Sequence, residues 1–181
     1  GMWNKSTLYR EATNIPLILA GPGIPEGKIC NTQTNLIDIA PTVLDNANLP
    51  ADPTLPGRSL AAIANEVDDP QRIGFSEYHA VGSPSAAYLV RQGQWAYHHY
   101  VGYEPELFDM AADPGQTVDL AAHDGHQPIR EHMASLLHQM LDPEATDQRA
   151  KADQDALVAR FGGREAALGK GPMGASPVPL R

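Results

Sequence analysis

Residues 86–109 read AAYLVRQGQWAYHHYVGYEPELFD, and this stretch decides the fold class. Two runs rich in aromatic and β-branched residues, 86–91 and 94–101, flank a turn at Gln92-Gly93, which predicts an antiparallel hairpin. Glu106-Leu107-Phe108 reads as another short strand, ended by Asp109 and the turn residues Asp113-Pro114-Gly115. Upstream, Gly74 to Ala80 alternates as a strand should. Downstream, Ile129, Met133, Leu136, Leu137, Met140 and Leu141 mark one apolar face of a helix over 127–141. Asp142-Pro143 ends that helix and starts another, Glu144 to Phe161, stopped by Gly162-Gly163. The predicted class is α+β, a small antiparallel sheet packed with C-terminal helices.

The N-terminal third has a different texture. Residues 6–14 read as a short helix, and Ile15-Pro16-Leu17-Ile18-Leu19-Ala20 as a strand apolar on both faces. Thr34 to Ile39 predicts a second short strand. Asp38 is then the expected side-chain cap of a helix over TVLDNANL, with Val43, Leu44 and Ala47 as its buried stripe. Prolines at 50, 53, 56 and 70 mark loop, with one helical turn near 60–64 and a subdomain boundary in the same region. The expected divisions are 2–65, 71–162 and an extended tail, 163–181.

Composition excludes several functions. Sixteen Gly and sixteen Pro favour turns and short elements over a helical bundle. A net charge of −9, with no basic run against it, disfavours nucleic acid as a partner. The single cysteine, Cys30, excludes an internal disulfide and any paired-cysteine metal site. No apolar run approaches the roughly 20 residues of a membrane span, and no leader pattern opens the chain, so no membrane is expected as a partner and the expected location is cytoplasmic.

Chemistry-bearing candidates are few. His98 and His99 are adjacent on a predicted strand and so point to opposite faces, where one ion cannot take both. His123, His126, His132 and His138 lie on or near the long helix without convergent ligands and read as surface residues. Glu77 and His79 are two apart on a strand and share a face, an arrangement suited to acid–base chemistry or to gripping a cationic substrate. A satisfied polar pair at a strand end is the other reading, and both stay open.

Several segments together resemble the sulfatase family: WNKSTLYREATNIPLILAGPGIPEG (3–27), NLIDIAPTVLDNANLP (35–50), PGRSL (56–60) and ELFDMAADPGQTVDLA (106–121). The stretch 75–109, with DPEATDQRAKADQ (142–154) and GGREAAL (162–168), is similar to the choline-sulfatase branch. The resemblance implies a C-terminal portion of a sulfatase, with 2–65 a strand–helix remnant of the α/β catalytic domain and 71–162 the C-terminal subdomain. It also implies that Lys5 binds the sulfate group, and that Glu77 and His79 face substrate. The family uses a divalent cation and a formylglycine made in a C/S-x-P-x-R segment. Cys30 lies in ICNTQT, without that proline or arginine, and the paired acidic metal ligands are missing, so no cofactor is expected on this chain. Three readings follow: a fragment inactive alone, a stand-alone binding or assembly module, or one half of a split enzyme completed by an upstream sulfatase polypeptide. An apolar strand without neighbours also predicts a homo-oligomer, dimer or larger.

Overall fold

The computed structural model describes residues 7–79 and 83–169. The chain divides into two compact units, Gly1–Pro143 and Glu144–Arg181. Within the first unit the N-terminal third is bonded to the sheet at several points.

The first unit is built on four antiparallel strands in sequence order: β1 (Gly74–Tyr78), β2 (Ala87–Gln92), β3 (Trp95–Tyr100) and β4 (Glu106–Asp109). Gln92 pairs with Trp95, so Gly93 and Gln94 form a two-residue loop. Gly93 sits at φ 55°, a conformation that glycine adopts without strain. The period-2 alternation sorts the strands onto two apolar layers. Tyr88, Val90, Tyr97 and Leu107 pack with Met133 and Leu137 of α4 (Gln127–Met140), the long helix expected from its periodicity. Ala87, Leu89, Ala96 and Phe108 face the other way and are covered by Leu8, with Tyr9, Tyr100 and Met110 beside it.

Both sheet edges are capped by groups from loops. At β1 the Asn35 side chain donates to the carbonyl of Ile73 (3.0 Å) and accepts from the amide of Phe75 (2.8 Å). At β4 the amide of Leu107 donates to Asp119 Oδ1 (3.0 Å), and its carbonyl accepts from the amide of Leu120 (2.8 Å).

The N-terminal third corrects several expectations. The first helix is one turn only, α1 (Arg10–Thr13). Residues 15–20 form no strand among the described residues: Ile18 is 88% exposed, and no described hydrogen bond holds the amides of Leu17 to Ala20. A strand exists only with a neighbour, and nothing in the described chain supplies one. Leu36–Asp38 is a 3₁₀ turn instead of a second strand and leads into α2 (Ile39–Asn46). Asp38 does not cap α2 with its side chain. The stripe at Val43, Leu44 and Ala47 is not buried, and Val43 is 60% exposed. The helix packs by Thr42 instead, whose hydroxyl donates to the Asp38 carbonyl (2.6 Å) and accepts from the amide of Leu60 (2.8 Å). That amide opens α3 (Leu60–Asn65), which Ser59 caps. The segment before α2 wraps α3, with Lys28 Nζ donating to the carbonyls of Ala64 and Glu66 and Asn65 to that of Gly23.

The second unit carries α5 (Pro143–Arg160, begun one residue earlier) and α6 (Arg164–Gly169). The tail expected to be extended from 163 therefore starts as a helix. Alanines and an acidic first turn at Glu165 favour it. Residues 170–181 lie outside the described residues.

Candidate functional site

The register of the sheet sets a row of polar and aromatic groups on the α4 side of its β1 end. Glu77 pairs with Tyr88, and Tyr88 with His99, so the three side chains share a face. His79, two residues beyond Glu77, joins them. Its Nε2 lies 3.3 Å from Glu77 Oε2, and its ring meets that of Tyr88 edge-on at 5.5 Å. The Glu77 side chain is 46% exposed and that of His79 21%, whereas Tyr88 is fully buried. His99 extends the row, with its Nδ1 3.4 Å from the Tyr97 hydroxyl and its ring 6.2 Å from that of His138. A half-exposed carboxylate backed by imidazole and phenol rings is an arrangement that holds a cation or shuttles a proton. Residues 80–82 and Lys5, the expected sulfate-binding group, lie outside the described residues.

A second polar cluster occupies the opposite face, where sequence reading placed no site. The Glu106 carboxylate accepts from the hydroxyls of Tyr9 (2.9 and 2.8 Å) and Tyr100 (2.8 Å). Burial and the neighbouring carboxylate push both phenols above their ordinary pKa, so both stay protonated donors. Beside them the fully buried His98 meets Gln116 at 2.9 Å, and Gln116 also accepts from the amide of Arg10 (2.7 Å). Burial, with a smaller contribution from Arg91, lowers the His98 pKa to about 4 and keeps the ring neutral at pH 7. The cluster pins residues 8–10 to the sheet. Its one sequence signal is that Tyr100 and Glu106 flank a short turn between strands.

Asp38 is the third polar centre, and it is structural. The carboxylate is wholly buried and accepts from the amides of Asn35 (2.8 Å) and Arg58 (2.9 Å) and from both terminal nitrogens of Arg72. Burial alone would raise its pKa, but the bonds from Arg72, Arg58 and Asn35 outweigh this and leave it below the ordinary range. Gly57 lies against the backbone of Ile37 and Asp38, where a Cβ would collide, so PGRSL owes its glycine to this close approach.

Among the described residues, no group of three or more His, Cys, Asp or Glu side chains is placed to hold a metal ion. The rings of His123 and His126 are 6.2 Å apart with no third donor, and Cys30 is a free thiol. The described residues therefore do not fit the cation that the sulfatase resemblance implies. No described helix is long and apolar enough to cross a membrane.

Comparison with known proteins gives concordant results. The family described as N-sulphoglucosamine sulphohydrolase, C-terminal, matches residues 1–142. Arylsulfatase K of Mus musculus is 32% identical over 128 residues, covering 65% of this chain and 23% of its own length. Choline-sulfatase of Rhizobium meliloti is 34% identical over 125 residues, covering 67% of this chain and 24% of its own length. A solved chain described as a "putative sulfatase" from Bacteroides thetaiotaomicron superposes with a TM-score of 0.63 at 29% identity, over 83% of this chain and 33% of that one. The chain thus spans about a quarter of the length of the curated relatives it matches.

Proposed function

The chain belongs to the sulfatase C-terminal family, and on that premise we propose that it is the C-terminal part of a choline-sulfatase-like sulfuric ester hydrolase, supplying substrate-facing groups and no nucleophile. The observation that carries this reading is the Glu77–His79 pair at the end of β1, with the Glu77 carboxylate half-exposed and His79 backed by Tyr88. A substrate with a cationic group at one end and a sulfate ester at the other needs two complementary anchors. Glu77 provides the anionic one, and Lys5 the cation beside the sulfate, where it stabilises charge developing on the leaving oxygen. His79 holds Glu77 in place and is within reach to exchange a proton with a bound group.

The chain on its own is inactive in this reading. It has no C/S-x-P-x-R segment to furnish the nucleophile, and loss of a nucleophile costs a hydrolase on the order of 10⁶ in rate. The test is turnover of choline sulfate and of an aryl sulfate by the purified chain with added Ca²⁺, Mg²⁺ or Mn²⁺. No turnover is expected. Turnover that tracks the protein and disappears in Lys5→Ala would overturn inactivity. For the binding role, amide shifts at 77 and 79 on titration with choline sulfate, absent in Glu77→Gln, are expected; identical shifts in both proteins would reject Glu77 as the anchor.

A further inference from the structure

The Arg10 amide, the Gln116 side chain and the His98 ring are joined by two hydrogen bonds whose directions are fixed. A backbone amide can only donate, so the Gln116 atom facing Arg10 at 2.7 Å is the carboxamide oxygen. The NH₂ end of the same side chain then points at His98 Nε2 across 2.9 Å. An NH₂ group donates, so Nε2 carries the lone pair and the ring proton sits on Nδ1. Nδ1 is buried without a hydrogen-bond partner among the described residues, so the Gln116 contact alone sets the tautomer.

Gln116 is presented by a tight turn. Its amide donates to the Asp113 carbonyl (3.1 Å), and the Asp113 carboxylate accepts from the amides of Thr117 (2.6 Å) and Val118 (2.8 Å). Its φ is 53°, a left-handed conformation uncommon for a residue with a Cβ. The turn therefore holds a strained backbone at the residue that bridges the two segments.

A second proton on the ring breaks this arrangement. Nε2–H would face the Gln116 NH₂ group, donor against donor. Turning the carboxamide over repairs that contact but sets its NH₂ against the Arg10 amide. One bond is lost either way. The ring has no water to turn to, since it is fully buried against Tyr9 of the N-terminal segment, Tyr100 of β3 and Phe108 of β4. Among the charged groups around it, Arg91 on β2 opposes protonation and Asp119, beyond β4, favours it more weakly. Glu106, opposite His98 in the register, has its oxygens taken by Tyr9 and Tyr100, and the Arg10 guanidinium is turned to the Pro114 carbonyl (3.1 Å).

We propose that His98, Gln116 and the Arg10 amide form an acid-sensitive latch, in which a proton on His98 frees α1 from the loop after β4 while the sheet stays folded. Hydrogen exchange at the Arg10 amide of the full 181-residue chain reads it, each rate divided by its intrinsic value at that pH. Opening exposes the ring and returns its pKa from about 4 to the ordinary 6.5, so protection should fall about 100-fold between pH 7 and pH 4. The fall should be insensitive to low urea, as a local opening is. His98→Gln offers Gln116 an oxygen that does not titrate, and protection there should be flat. Gln116→Glu sets a carboxylate between two donors, so protection should rise from pH 7 to pH 5. Ring ¹⁵N shifts of the parent at pH 7 should place the proton on Nδ1. Four results would each overturn the latch: a proton on Nε2 at pH 7, a flat parent profile, a fall retained in His98→Gln, or a fall in Gln116→Glu like the parent's. The tautomer and the parent profile need no variant, so they decide the matter even where a substitution unfolds the protein.

Discussion

Arg72 donates to both oxygens of the buried Asp38 carboxylate, at 2.7 and 3.0 Å, across 34 residues of sequence. The pair joins the approach to β1 with the turn before α2. Its Asp side chain is fully enclosed and its Arg side chain 13% exposed, so neither charge has bulk water as an alternative partner. Removing the cation strands a buried carboxylate, at a cost of about 3–5 kcal/mol. Arg72→Met should lower the urea midpoint accordingly. An unchanged midpoint would mean that Asn35 and Arg58 hold the carboxylate unaided.

Acid should destabilise the protein in two steps. His98 has a folded pKa of about 4 against an ordinary 6.5, so between those values the unfolded chain binds a proton that the folded chain refuses. Stability therefore falls as pH drops from about 6.5 to about 4, by on the order of 3 kcal/mol. Asp38, with its pKa held below the ordinary 3.8, contributes stability that is complete above that value and lost as pH falls through its folded pKa. Urea unfolding across this range should show the upper step shrinking in His98→Gln and the lower step persisting there. Equal slopes in both proteins between pH 6.5 and 4 would reject His98 as the source.

Tyr9 ties the N-terminal segment to the sheet through Glu106. Tyr9→Phe removes a hydrogen bond to a charged acceptor, worth about 1.5–3 kcal/mol. The readout is hydrogen exchange, which should quicken over 8–14 with α4 unaffected.

Leu137 is fully buried between α4 and the sheet. Leu137→Ala should cost about 2–5 kcal/mol, the usual range for such a truncation. By contrast Val43→Ala, on the α2 face that the sequence marked as buried, should shift the melting temperature little, because Val43 is 60% exposed.

What the sequence by itself determined is the part of the protein governed by near neighbours. Alternation over 86–101, a glycine at the hairpin turn and the 3.6-residue spacing over 127–141 each act within a few residues, and the strands and α4 formed where those signals lie. Membership in the sulfatase family was legible for the same reason, as runs such as ELFDMAADPGQTVDLA are contiguous. Glu77 and His79 were legible as a pair because a strand places residues two apart on one side. The tertiary structure decided everything that depends on distant partners. Asp38 has the local look of a helix cap, yet Arg72 and Arg58 reach it from 34 and 20 positions away and take its oxygens first. Tyr9 and Glu106 lie 97 residues apart, and no local pattern announces their meeting. The run 15–20 has every local mark of a buried strand and is not one here, because a strand is a relation between two segments and hydropathy reports only one of them.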